Sequence, residues 1–155
     1  MGNISHRGLT FIVIVGMITG MYLPNTIDTV MGDSSIIYVD DDNTEGPWKG
    51  TKEYPYKKIQ DGINQSAEGD TVFVYNGLYK ENVRIYTSDI IVTGEDKYST
   101  IIDGKQNWYT LMIENNIDKR IKNIVLTNFT IKNASYDGIY VRFADEIYNK
   151  EFHHY

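Results

Sequence analysis

The chain has 155 residues, 41% of them hydrophobic and 23% charged, with thirteen tyrosines and no cysteine. The length suits one ordinary domain and the composition is globular with a tilt toward β structure; lack of cysteine excludes disulfides and thiolate metal sites but not export. A net charge of −6 with no lysine or arginine run offers nothing to phosphate backbones or anionic lipid, so nucleic acid is not an expected partner.

His6 and Arg7 precede residues 9–23, fifteen positions without a charge, and Pro24 and Asn25 end the run. A basic head, apolar middle and polar tail are the layout of a secretory signal. As a helix this stretch would reach about 22 Å, short of the ~30 Å hydrocarbon core that a stable span crosses. A cleaved signal with its linker is therefore expected over residues 1–33, cut between Asn25 and Ser35 without the usual small-residue pattern. The alternative is a membrane anchor through residues 9–23.

The domain proper is expected over residues 34–155. Residues 36–39 read as a strand that runs into Asp40, Asp41, Asp42 and Asn43, and residues 46–50 read as an irregular loop. A short helix follows, because Pro55 suits a first turn, Tyr56, Ile59, Ile63 and Ala67 share one face, and Gly69 supplies a stop. From Asp70 the pattern becomes short strands at 71–75, 82–85, 89–92, 100–103, 110–113, 123–126, 129–131 and 138–141, separated by Asn-Gly, Thr-Gly and Asp-Gly. So many strands without intervening helices exclude a βαβ protein and leave an antiparallel sandwich or barrel, or a β-solenoid. The solenoid is favoured by strand shortness, by apolar residues alternating with Asn and Thr, and by recurring columns. The columns group Val72 with Ile90 and Ile124, Val83 with Ile101 and Phe129, and Leu111 with Ile139, with residues 77–81 as a turn.

Ile37-Tyr-Val-Asp-Asp-Asp42, Tyr56-Lys-Lys-Ile-Gln-Asp-Gly-Ile-Asn64, Glu68-Gly-Asp-Thr-Val-Phe-Val-Tyr75, Gly77-Leu-Tyr-Lys-Glu81 and Ile101-Ile-Asp-Gly104 together resemble the opening of secreted right-handed parallel β-helix proteins, the pectin-lyase-like and NosD-like repeat group. The resemblance implies an all-β fold, a right-handed parallel β-helix (solenoid) of about three rungs, with the amphipathic helix capping its first rung. Family members run to many rungs. This chain is therefore expected to be a truncated N-terminal part of a longer solenoid, or to cover its open end with residues 142–155, where Phe143, Ile147, Tyr148 and Phe152 show no strand period among the charges. An uncovered end is expected to make the chain self-associate.

The Gly77 to Glu81 segment also occurs in pectin methylesterases, where catalytic residues lie on later rungs whose motifs are absent here; Gly77 and Tyr79 then read as corner residues, with Glu81 kept as a catalytic candidate. Asp89, Glu95, Asp96 and Asp103 lie on neighbouring segments, and glycoside cleavage needs two carboxylates about 5–10 Å apart. Asp96 and Asp103 are the candidates from that set, against a reading as ordinary turn residues. Asp40 and Asp42 could offer oxygens to Ca²⁺, the one cofactor considered, but consecutive side chains cannot all turn to one ion and a solvated acidic loop is the plainer reading. His153 and His154 lack further ligands nearby in sequence. Trp48, Trp108 and Tyr109 are candidates for stacking on sugar rings, against packing at corners. Asn64, Asn128 and Asn133 fit glycosylation sequons, the last two also suiting asparagine ladders between rungs. The expected function is a non-catalytic extracellular or cell-surface module that contacts polysaccharide. The alternative is a fragment of a polysaccharide lyase, esterase or glycoside hydrolase.

Overall fold

A three- or four-residue strand cannot bury an apolar face alone, and this chain solves that by coiling so that each strand lies in register on the one a coil earlier. A computed structural model of the chain describes residues 34–115, 119–150 and 153–154. The expected signal lies outside the described residues. The described elements are β1 (Ile36–Val39), α1 (Ile59–Gln65), β2 (Thr71–Val74), β3 (Gly77–Tyr79), β4 (Val83–Ile85), β5 (Ile91–Gly94), β6 (Thr100–Asp103), β7 (Tyr109–Glu114), β8 (Ile121–Thr127), β9 (Thr130–Lys132), β10 (Asp137–Arg142), β11 (Ala144–Lys150) and β12 (His153–His154). They form three sheets, ordered β1-β2-β5-β8-β11, β3-β6-β9-β12 and β4-β7-β10, and every pairing is parallel. This is a parallel β-helix. Its complete coils are β2-β3-β4, β5-β6-β7 and β8-β9-β10, with β1 before them and β11-β12 beginning another.

Inward side chains stack in columns: Val72, Val92 and Leu126 on the first sheet, Tyr79, Ile102 and Ile131 on the second, and Val83, Leu111 and Ile139 on the third. All but the partly buried Ile139 belong to one continuous buried core. Burial of this kind contributes about 25 cal/mol for each Å² of apolar surface removed from water, and the parallel ladder keeps the backbone polar groups paired while it happens.

Four expectations need correction. Residues 77–79 are a strand, not part of a turn, so Val83 belongs with Leu111 and Ile139, while Leu78 is the partner of Ile101. Val72 pairs with Val92 rather than Ile90, which is level with Asp70, each of the two following its coil's left-handed residue. The helix is shorter than its stripe: Tyr56 is held extended by exchanging backbone hydrogen bonds with Tyr38 and Asp40, and Lys58 is the extended cap. Its buried face is Ile59, Gly62 and Ile63, set against β1, β2 and β4. The tail after Val141 is not irregular, since β11 pairs along β8 and β12 along β9.

On entry to the shared register of the first sheet each coil repeats a left-handed residue, ahead of the strand at Gly69 (φ 97°) and Asp89 (58°) and within it at Asn123 (54°) and Glu146 (56°). Asp70 beside the first of these is buried, and its carboxylate accepts from the Ser35 and Ala67 amides and the Ser35 hydroxyl at 2.8–2.9 Å. Burial alone would raise its carboxyl, but these donors outweigh it and hold the group below the usual carboxylate range. Because the folded pKa is depressed, the stabilisation is complete above about pH 4 and is lost as pH falls through the folded value. Asp70→Asn is expected to remove that acid slope and to lower stability at pH 7 by about 1–3 kcal/mol, read from urea midpoints at pH 7 and pH 3. A second test concerns coil spacing: a methyl on Gly94 would collide with the Asn128 carbonyl oxygen and stand 2.9 Å from the Thr100 Cβ. Gly94→Ala is expected to cost about 3 kcal/mol in the same measurement; an unchanged midpoint would refute this close approach of coils.

Candidate functional site

The segment from Gly77 to Glu81 ties the start of the coil together. Glu81 reaches back to the N-terminus of α1, its two oxygens accepting from the Ile59 amide (2.9 Å) and the Gln60 amide (3.1 Å). Burial pushes its carboxyl up, opposed by those amides. Tyr79 points inward, donates to the Tyr75 carbonyl at 2.9 Å and accepts from the Asp41 amide at 3.3 Å. Burial, reinforced by the Asp41 carboxylate, keeps this phenol protonated well beyond the ordinary range. Asp41 in turn accepts from the Leu78 amide at 3.1 Å, and Gly77 leaves the room its carboxylate occupies.

The other acidic candidates are spread over three corners of one coil. Asp89, before β5, accepts from the Asn123 side-chain amide at 2.6 Å. Just after β5, Glu95 accepts from the Asn76 amide at 3.1 Å, and Asp96 closes a turn by accepting from Tyr98 and Ser99 at 3.0–3.1 Å. Asp103, at the end of β6, accepts from the Lys105 amide at 2.9 Å and the Asn133 amide group at 3.0 Å, and the Lys105 bond leads in holding its carboxyl below the usual range. Glu81, Asp96 and Asp103 are thus each occupied by donors of their own; Asp96 sits at the corner after β5, whereas Glu81 and Asp103 lie at the corner after the second sheet in successive coils. Asn133, expected in an asparagine ladder, instead donates to Asp103, and Asn123 likewise donates to Asp89, each pair linking two coils.

The acidic run after β1 divides in the same way. Asp40 accepts from the Asp42 amide at 3.0 Å, while Asp41 turns to β3. Among the described residues no three His, Asp or Glu side chains converge as metal ligands would. Trp48 donates its indole N–H to the Asn43 carbonyl at 2.8 Å in the β1–α1 loop and is half exposed. His153 and His154 form β12.

Trp108 and Tyr109, by contrast, are part of a larger arrangement. Tyr109 stacks on Tyr140 with centroids 4.3 Å apart and planes at 21°. Tyr136 joins edge-on to Tyr109 at 6.3 Å and lies tilted beside Trp108 at 6.4 Å. Trp108 and Tyr136 are 72% and 75% exposed, high enough that packing does not account for them. The two corners carrying these rings are fastened to one another: the Ser135 amide donates to the Asn107 carbonyl, and the Tyr136 and Asp137 amides both donate to the Trp108 carbonyl at 3.2 and 3.1 Å. From the coil below, Asn82 donates to the Tyr109 carbonyl at 2.6 Å and accepts from the Asn107 side chain at 2.5 Å. The result is a fixed, exposed aromatic platform at the entry to the third sheet. Tyr136 and Tyr140 were not singled out from the sequence; aligning β10 one coil above β7 would have found them.

No protein-family model matches the chain. A curated relative, the uncharacterized protein YwoF of Bacillus subtilis (strain 168), is 24% identical over 140 residues, a match that takes in 88% of this chain and 26% of that protein. Among solved structures, pectin methylesterase PemA from Erwinia chrysanthemi aligns with a TM-score of 0.56 at 17% identity, over 75% of this chain and 42% of that one. A pectin methylesterase in complex with hexasaccharide VII aligns with the same score and coverage at 15% identity. The chain has the right-handed parallel β-helix fold of pectin methylesterase. It spans about a quarter of its curated relative and under half of either enzyme, and at these identities the likeness is one of fold.

The tie from Glu81 to α1 can be tested apart from the platform. Glu81→Ala leaves two helix amides unpaired and is expected to cost about 1–2 kcal/mol in urea unfolding. The stacked tyrosines stay in place, so near-ultraviolet circular dichroism of the folded variant should match the parent.

Proposed function

We propose that the chain is an exported, non-catalytic β-helix module that holds polysaccharide on the aromatic platform of Trp108, Tyr109, Tyr136 and Tyr140. One observation carries the reading: two coils are hydrogen-bonded so as to present four aromatic rings together, with the two outermost rings largely in solvent. Flat apolar faces with polar edges suit the C–H faces and hydroxyls of sugar rings. The fold adds support, since one solved relative is described in complex with a hexasaccharide. A binding rather than a catalytic role is supported by the acids themselves, because Glu81 and Asp103 engage both oxygens and Asp96 one oxygen with turn, helix and side-chain amides. Export follows the basic, apolar and polar order of residues 6–25, with retention through residues 9–23 as the other outcome. The helix α1 is assigned the role of covering the first coil, in keeping with the complete burial of Ile59 and Ile63.

Affinity electrophoresis in gels containing soluble glycans tests the platform. Trp108→Ala and Tyr136→Ala remove exposed rings and should leave the melting temperature nearly unchanged while weakening retention by about 3–10-fold each. Retention equal to that of the parent in both variants would overturn the assignment of the platform.

A further inference from the structure

The platform carries a charge as well as rings. Asp137 opens β10 directly after Tyr136, is exposed, and lies opposite Tyr109 in the parallel register. Its backbone amide is fixed to the Trp108 carbonyl at 3.1 Å, whereas its carboxylate hydrogen-bonds to no described residue. The carboxylate is thus held among the rings with its acceptor capacity open to solvent.

Several cations of the neighbourhood are engaged by other groups. On the outer face of the third sheet Arg84 lies 3.9 Å from Glu114, and the Arg142 guanidinium sits over the Phe143 ring at 4.5 Å. Lys80 and Lys132 act on Asp103, at the end of the second sheet. The charged side chains that bear most on the Tyr109 hydroxyl are Asp137 and Glu114, both acids. Partial desolvation first, and then these neighbours, hold that phenol above its ordinary value, so it remains a neutral hydroxyl able to donate and to accept.

We infer that the platform selects neutral pyranose chains over uronic-acid polymers, with Asp137 as the acceptor for sugar hydroxyls. The inference rests on the carbohydrate reading above and narrows it. A neutral sugar brings hydroxyl donors, which a carboxylate accepts in short charge-assisted bonds while the ring C–H face lies on Trp108 or Tyr136. A uronate brings a second carboxylate to the same place, where like charges repel and no cation is among the groups that act on the Tyr109 hydroxyl. A polyanion would need an arginine or lysine aimed into the site, as planar carboxylate recognition does elsewhere.

The test is affinity electrophoresis of the full chain, of Asp137→Asn and of Trp108→Ala, in gels holding a neutral β-glucan, a neutral galactan or polygalacturonate. The parent should be retarded by at least one neutral polymer and not by polygalacturonate, and added salt should change its retardation little. Asp137→Asn removes the charge but keeps an acceptor; it should shift the ratio of neutral to acidic retention toward polygalacturonate by about tenfold, while Trp108→Ala weakens both. Circular dichroism of each variant confirms folding. Preference of the parent for polygalacturonate, or an unchanged ratio in Asp137→Asn, overturns the selectivity while leaving carbohydrate binding intact. Retardation by none of the polymers overturns both.

Discussion

Each coil of this chain is hydrogen-bonded in register to the coil before it, so a bend made once has to be made again at the same place. The corner leading into the first sheet shows the requirement at residue level. Gly69, Asp89, Asn123 and Glu146 all take the left-handed conformation there, two residues before Thr71, Ile91, Val125 and Tyr148, which pair with one another across the sheet. Glycine, asparagine and aspartate enter that conformation with little strain, and three of the four positions use them. Once the bend is fixed, the inward columns follow. Isoleucines and valines with different spacings along the chain fall into line because the backbone, not the side chains, sets the register.

That same bend explains which parts of the fold could be read from the sequence. Strict alternation identified most strands, and the order of helix, Gly-Asp strand and Gly77 to Glu81 pointed to the architecture. Where a left-handed residue interrupts a strand, the inward positions are spaced by three rather than two. Ile121, Ile124 and Leu126 line the core with Asn123 between the first pair. In β11 Ala144 and Ile147 flank Asp145 and the left-handed Glu146, and Asp145 pairs outward with Arg120, so charge density hid a strand. Period-two reading cannot see such segments. It also missed β3, because Gly77 resembles a turn residue in sequence although its bareness serves the Asp41 carboxylate.

The acidic residues show a related limit. Aspartates at strand ends were read as a possible reacting set because many lie close in sequence, yet their spacing matches corners, where an Asx side chain can satisfy amides that the sheets leave unpaired. Asp96 does this for Tyr98 and Ser99, Asp103 for Lys105, and Glu81 does it for a helix more than twenty residues earlier. Trp108 and Tyr109 were visible as unusual loop aromatics. Their partners were not, since Tyr136 and Tyr140 come from the next coil and only the register of β10 on β7 brings them near.

An aromatic surface shared between stacked coils has its pitch fixed by the main chain. Neighbouring parallel strands lie about 4.8 Å apart whatever residues they carry, so substitution at Trp108 or Tyr136 changes the chemistry of a row without changing the distance between rows. The corner loops can lengthen or shorten, as the unequal coils here already do, and the rows keep their separation. The coil therefore acts as a ruler whose divisions are set by backbone hydrogen bonds. An aromatic surface of this kind could be extended row by row through the addition of whole coils, with no need to redesign the rows already present.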